Sequence, residues 1–161
     1  MPLNAQILLS ILAHETSSGD LSRTLRATPV SYALSLTDGT GANQVQVVWS
    51  DSRTLSGSPD TLTLGSLTDD RGTVTFTAIK VIYIKNNGSA TMLWSDGTWG
   101  GSPFDDIAAS SVNIRPGGVL AIAAPDAGGF SVSSGSQTIV LSSATSGVAY
   151  EIVLIGEGSI S

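Results

Sequence analysis

Apolar and polar residues alternate in short runs from Gln6 to Ile155, with no helical repeat between the runs. Alternation with a period of two marks strands with one face in a core. Tyr32, Leu34 and Leu36 alternate with Ser and Ala. Val45, Val47 and Trp49 alternate likewise after the turn-rich segment Asp38–Asn43. These two runs predict a β-hairpin with a long loop. Leu62 and Leu64 form a short run after Pro59, and Asp69-Asp70-Arg71-Gly72 reads as a turn. Val74, Phe76 and Ala78 follow in a piece expected to bend before the next. Lys80–Lys85 is the clearest strand, because Val81-Ile82-Tyr83-Ile84 is apolar on both faces. Asn86-Asn87-Gly88 then turns the chain, and Ala90–Trp94 is predicted to return antiparallel. Val112–Ile114 and Val119–Ala123 flank the turn Arg115-Pro116-Gly117-Gly118. Phe130–Val132, Ile139–Leu141 and Tyr150–Ile155 complete the series. About ten short strands without helices between them predict an all-β, antiparallel sandwich. A jelly roll of about 8–10 strands suits this count better than an immunoglobulin-like sandwich, which uses fewer.

The first 28 residues differ. In Gln6–Ala13, Ile7, Leu9 and Ile11 share one face while Leu8 and Leu12 occupy the other. A strand apolar on both faces is covered on both sides or by a partner. His14–Thr28 is polar, lacks a periodic stripe, and ends before Pro29. The expected organisation is an N-terminal strand or arm over 1–28 and a sandwich domain over 29–161. Whether Gln6–Ala13 joins the core or docks outside it is open at this level. Trp49-Ser50-Asp51-Ser52 and Trp94-Ser95-Asp96-Gly97 echo one another, but their flanks do not match, so both read as strand ends.

Composition narrows the chemistry. The 161 residues include 41 Ser and Thr, one histidine and no cysteine, and carry a formal charge of −6. Only 12% are charged, against about 25% in ordinary domains. Duplex nucleic acid needs a positive face, yet the seven basic residues form no run. An anionic membrane is disfavoured for the same reason, and Ile7–Leu12 is too short to span a bilayer. No basic segment precedes that run, so it does not read as a signal peptide. Without cysteine there is no disulfide framework. His14 stands alone, which excludes a histidine metal site. No Gly-x-Ser-x-Gly pentapeptide occurs. Gly39-Thr40-Gly41 precedes a strand, not the helix a dinucleotide fingerprint needs. Asp69-Asp70 and Asp105-Asp106 lack the spacing of a calcium loop. Asn87-Gly88-Ser89 matches a glycosylation sequon but reads as a turn. A non-enzymatic protein without metal or cofactor is therefore expected. Three tryptophans offer stacking surfaces for sugars. Trp49 and Trp94 close apolar strands and are expected in the core, whereas the glycines around Trp99 suggest a loop. The alternative function is thus a carbohydrate-binding or adhesion module, lectin-like or part of a phage fibre.

Three segments carry a resemblance: Val81-Ile82-Tyr83-Ile84-Lys85-Asn86-Asn87-Gly88, Asn113-Ile114-Arg115-Pro116-Gly117-Gly118-Val119-Leu120 and Tyr150-Glu151-Ile152-Val153-Leu154-Ile155-Gly156. Together they resemble small structural proteins of tailed bacteriophages, nearest to the capsid decoration, or cement, proteins of jelly-roll type. The resemblance covers about residues 80–156. It implies a homo-oligomer, dimer or trimer, that clamps the outer face of the major capsid protein lattice. Such a protein is made in the host cytoplasm and resides on the virion surface. It implies no catalytic residues. The expected interface uses Ile7, Leu8, Leu9, Ile11 and Leu12 of the apolar segment and Arg23 and Arg26 of the polar one. Trp99 and Phe104 of the irregular stretch join them.

Overall fold

The computed structural model describes residues 2–17, 23–26, 28–104 and 111–161, and of 14–17 and 23–26 the backbone alone. All regular structure among these residues is strand. The N-terminal strands are β1 (Ala5–Ile11), β2 (His14–Ser17), β3 (Arg23–Arg26), β4 (Val30–Asp38) and β5 (Gln44–Val45). The next are β6 (Val47–Leu55), β7 (Asp60–Thr63), β8 (Leu67–Asp69), β9 (Gly72–Asn86) and β10 (Met92–Ser95). The last are β11 (Ser111–Ile114), β12 (Val119–Ala123), β13 (Phe130–Ser131), β14 (Thr138–Ser142) and β15 (Val148–Ile160).

Two antiparallel sheets face one another. One has the order β12-β9-β15-β6, with β8 and β13 paired along β9; the other has the order β11-β10-β14-β7. The alternation read from sequence sends Trp49, Phe76, Ile82, Ile84, Ile152 and Leu154 of the first sheet inward. They meet Trp94, Leu62, Ile139 and Leu141 of the second. Between consecutive strands on the main paths of these two sheets the chain crosses from sheet to sheet, except at β10–β11. This explains one departure from expectation: β10 does not return beside β9 but joins the second sheet. The turn expected at Arg115–Gly118 is present, and it carries the chain from β11 in one sheet to β12 in the other.

The larger sheet is apolar on its outer face as well. There Val81 and Ile155 are covered by Leu34, Leu36 and Val45 of a third layer, the sheet β1-β4-β5. This is why Val81-Ile82-Tyr83-Ile84 has no polar face. The expected hairpin between Tyr32–Leu36 and Val45–Trp49 does not form. β4 pairs with β1, and β6 pairs with β15. Leu34 and Leu36 are needed to close the outer layer, while Trp49 is needed in the inner one. The boundary expected after residue 28 falls between the two strands of the β1–β4 hairpin.

β9 runs unbroken through the point where a bend was expected, but its pairing there is irregular. Its register with β15 slips between Ile155 and Gly156 and again between Glu157 and Gly158, leaving Lys80 and Thr77 without an opposite residue. Such bulges reset which face a residue occupies, so Phe76, Ile79 and Ile82 all point into one core. Gly156 is required there: a Cβ on it would lie 2.0 Å from the Ala78 carbonyl oxygen.

A polar cluster ties the sheets together at one end. Arg53 on β6 donates through Nε and Nη2 to both Asp60 oxygens on β7, at 2.6 and 3.0 Å. The Tyr150 hydroxyl on β15 donates to Asp60 Oδ2 at 2.7 Å. The Arg53 guanidinium holds the Asp60 carboxyl below the usual carboxylate range, against the opposing effect of burial, and Tyr150 adds to the lowering. Burial and the hydrogen bond to Asp60 push the Tyr150 phenol up. A depressed carboxyl stabilises the fold above its ordinary value, about 4, and that stability is lost as pH falls through the lowered one. A raised phenol contributes below about 10 and loses that contribution as pH rises. The melting temperature is therefore expected to fall at both pH extremes. Asp60→Asn should flatten the acid limb, and an acid limb as steep as the parent's would show that another group controls it.

Candidate interaction surface

β1 and β4 pair over seven residues, from Ala5 opposite Leu36 to Ile11 opposite Val30. β2 and β3 extend the pairing from His14 opposite Arg26 to Ser17 opposite Arg23. Between the two ladders lie two residues on the outgoing strand and three, ending in Pro29, on the return. The hairpin is thus offset by one residue where Pro29 cannot donate to a ladder. Within the segment read from sequence as a polar arm, His14–Ser17 and Arg23–Arg26 are therefore paired strands that follow the β1–β4 ladder. Residues 18–22 and 27 of that segment lie outside the described residues.

Pleating places Ala5, Ile7, Leu9 and Ile11 on one face with their partners Leu36, Leu34, Tyr32 and Val30. That face is an unbroken apolar stripe, and its two halves differ sharply. Leu36 and Leu34 are 1% and 7% exposed against the outer face of the large sheet. Ala5 and Ile7 are half-buried beside them. Further out, Leu9 is 54% exposed, Ile11 59%, Tyr32 42% and Val30 67%. The stripe overhangs the sandwich. The opposite face is mostly polar, with Gln6, Ser10, Ser31 and Ser35, yet it carries Leu8, 71% exposed, and is followed by Leu12, also exposed.

Beneath the overhang runs a groove of about 580 Å³. Its hairpin wall is Gln6–Leu9 of β1 with Tyr32 of β4. Its floor includes Tyr83 of β9, and Val119 and Ala121 of β12, on the outer face of the large sheet. Val119 is itself exposed.

The hairpin's base is fastened firmly. Lys80 Nζ donates to the Gly41 carbonyl at 2.7 Å and lies 2.8 Å from Glu157 Oε1. Asn43 N–H donates to the Pro125 carbonyl at 2.7 Å, and Leu3 N–H donates to Asp38 Oδ1. The stripe is thus held at the Ala5–Leu36 end and exposed, among the described residues, at the Ile11–Val30 end.

The structure brings five of the expected interface residues together: Ile7, Leu8, Leu9, Ile11 and Leu12 are on or directly after β1. Arg23 and Arg26 stand on β3, and their side chains lie outside the described residues. Trp99 and Phe104 are not brought to this surface: Trp99 is a core residue, which corrects its assignment to an interface, and Phe104 is half-buried. Trp99 is 1% exposed, its indole N–H donates to the Ser131 carbonyl at 2.8 Å, and it meets Phe130 edge to face. Phe104 packs edge to face on buried Trp94 at 4.8 Å. The surrounding glycines let the backbone approach closely: a Cβ on Gly101 would lie 2.1 Å from the Ser131 carbonyl oxygen. Trp49 and Trp94 are in the core as expected. No tryptophan therefore offers a ring face to a sugar. Asp69, one calcium candidate, is occupied by the Arg71 guanidinium; Asp105 and Asp106 lie outside the described residues.

Val30, Tyr32 and Val119 were not singled out from sequence. The signal for the first two was present. Val30, Tyr32 and Leu34 mirror Ile11, Leu9 and Ile7 about the polar segment between them, as the strands of one hairpin must. Comparison with family models, with curated proteins and with solved structures returns no match for this chain.

Proposed function

We propose that the chain is a non-enzymatic decoration protein of a tailed-phage capsid, binding the outer face of the major capsid protein lattice. Its site of action would be the virion surface, after synthesis in the host cytoplasm. The observation that carries this reading is the hairpin: an apolar stripe that extends outside the sandwich, an assembly element of the kind a homo-oligomeric coat protein needs. Scattered exposed apolar residues are ordinary, but a contiguous exposed patch on a soluble domain marks an interaction site. The strand order supports a jelly roll. Numbering the eight strands on the main paths of the two facing sheets, β6, β7, β9, β10, β11, β12, β14 and β15, in chain order, one sheet reads first-eighth-third-sixth and the other second-seventh-fourth-fifth. The resembling segments fall on β9, on the β11–β12 turn and on β15. The burial of all three tryptophans speaks against the carbohydrate-binding alternative.

The test is co-sedimentation of the purified protein with undecorated capsids of the same phage. Saturable binding at a fixed ratio to the major capsid protein is expected. Absence of binding at micromolar protein would overturn the proposal, and glycan-array binding in its place would favour the adhesion reading.

A further inference from the structure

The overhanging half of the stripe, the groove beneath it and the exposed Leu8 share one explanation. β1 is the edge of its sheet, paired only with β4 among the described residues. Natural edge strands are protected by charge, proline, bulges or shortness. β1 has seven residues, Ala-Gln-Ile-Leu-Leu-Ser-Ile, with no charge and no proline, in unbroken register with β4. Four consecutive residues of β1, Gln6–Leu9, form the hairpin wall of the groove, whereas β4 gives only Tyr32. The free edge therefore opens on the groove. An unpaired row of backbone donors and acceptors there needs a strand, and the apolar floor beneath needs that strand to present an apolar face.

The sequence of β1 identifies which strand. Read as apolar and polar, it is the same in both directions about Leu8. We propose that β1 pairs antiparallel with β1 of a second copy across a two-fold axis at Leu8, so that each hairpin overhang lies along the other copy's groove. This register sets Ile7 opposite Leu9, Gln6 opposite Ser10, and Ala5 opposite Ile11. Apolar meets apolar and polar meets polar on every rung. The parity is also right: the stripes of the two copies join on one face of a continuous sheet. The exposed half of each stripe comes beside the half that the other copy already covers with its own sandwich. Leu8, which has no role on a polar face, meets its own copy at the axis. Both free edges and both overhangs are satisfied at once, as a closed isologous contact requires. This rests on the hairpin as an assembly element and not on the identity of the capsid; failed co-sedimentation by a dimeric protein would overturn only the capsid reading.

The chain lacks cysteine, so engineered thiols report cleanly. Analytical ultracentrifugation of the parent protein at tens of micromolar is expected to give twice the 16.4 kDa chain mass. Leu8→Lys sets two like charges side by side at the axis. It should give monomers with an unchanged far-ultraviolet spectrum, since Leu8 is 71% exposed and takes no part in the core. Under mild oxidation Leu8→Cys should cross-link most of the protein into covalent dimers, because directly opposite Cβ atoms lie within about 5.5 Å. Leu12→Cys, on the same face but opposite Asn4 in this register, should not. A monomeric or trimeric parent overturns the proposal. So does a dimer in which Leu8→Cys fails to cross-link, or in which Leu12→Cys cross-links as well as Leu8→Cys.

Discussion

Ile82→Asp is expected to leave the protein unfolded or insoluble. Ile82 is fully buried at the centre of β9, paired with Ile122 on one side and Leu154 on the other. It faces the hydrophobic core shared with the second sheet. An unpaired buried carboxylate costs several kcal/mol, and truncating the isoleucine adds about 2–5 kcal/mol of lost packing. Together these match the whole stability of an ordinary domain, about 5–15 kcal/mol. Asn87→Asp, five residues on in an exposed turn, adds the same charge and should shift stability by no more than about 0.5 kcal/mol. Circular dichroism with thermal melting of the two variants checks this. A soluble Ile82→Asp protein melting with the parent would show that β9 is not the central strand.

How much of this architecture the chain announces depends on the range of the interaction. Most strands are local facts, set by alternation of the kind seen in Val45-Gln46-Val47-Val48-Trp49, and could be read directly; β2, β3 and β8, which lack such a run, could not. Pairing is not local. The two runs flanking Asp38–Asn43 look like a hairpin because turn residues separate them. Leu34 and Leu36 nevertheless go to the outer layer and Trp49 to the inner, a choice decided by surfaces on β9 and β15 far along the chain. The same holds for Ala90–Trp94, whose buried Met92 and Trp94 complete the second sheet. In the candidate surface, the aliphatic cluster Ile7–Leu12 was legible because nothing in its own segment could bury it. Trp99 was misplaced because glycine neighbours signal a loop as readily as they signal close backbone approach. Gly101 against Ser131 is the second case. Tyr32 was read as ordinary core, since only the length of the overhang makes it exposed.

Lys80→Ala is expected to cost about 3–5 kcal/mol, which for a chain of this size lowers the melting temperature by roughly 10 °C. Lys80 is fully buried at a bulge of β9, and its ammonium serves two acceptors from different layers. Glu157 belongs to β15, its side chain only 15% exposed; Gly41 belongs to the loop at the base of the hairpin. Glu157 Oε1 has no hydrogen-bond partner besides this ion pair among the described residues. Removing the ammonium therefore strands a carboxylate and a carbonyl in apolar surroundings, and that desolvation, more than the lost attraction, sets the cost. Lys80→Met with Glu157→Leu removes both charges at similar volume and should recover most of the loss. Urea melts of the parent, the single variants and the double variant measure the coupling. Additive losses would show that the pair does not act as a unit. Because Lys80 also fixes the Gly41 carbonyl, the single variant should loosen the hairpin before the sandwich. Proteolytic cleavage within 39–43 is then expected under conditions where the sandwich stays folded. Cleavage appearing only with global unfolding would mean that the base of the hairpin is held by its other bonds, such as Asn43 to Pro125, without help from Lys80.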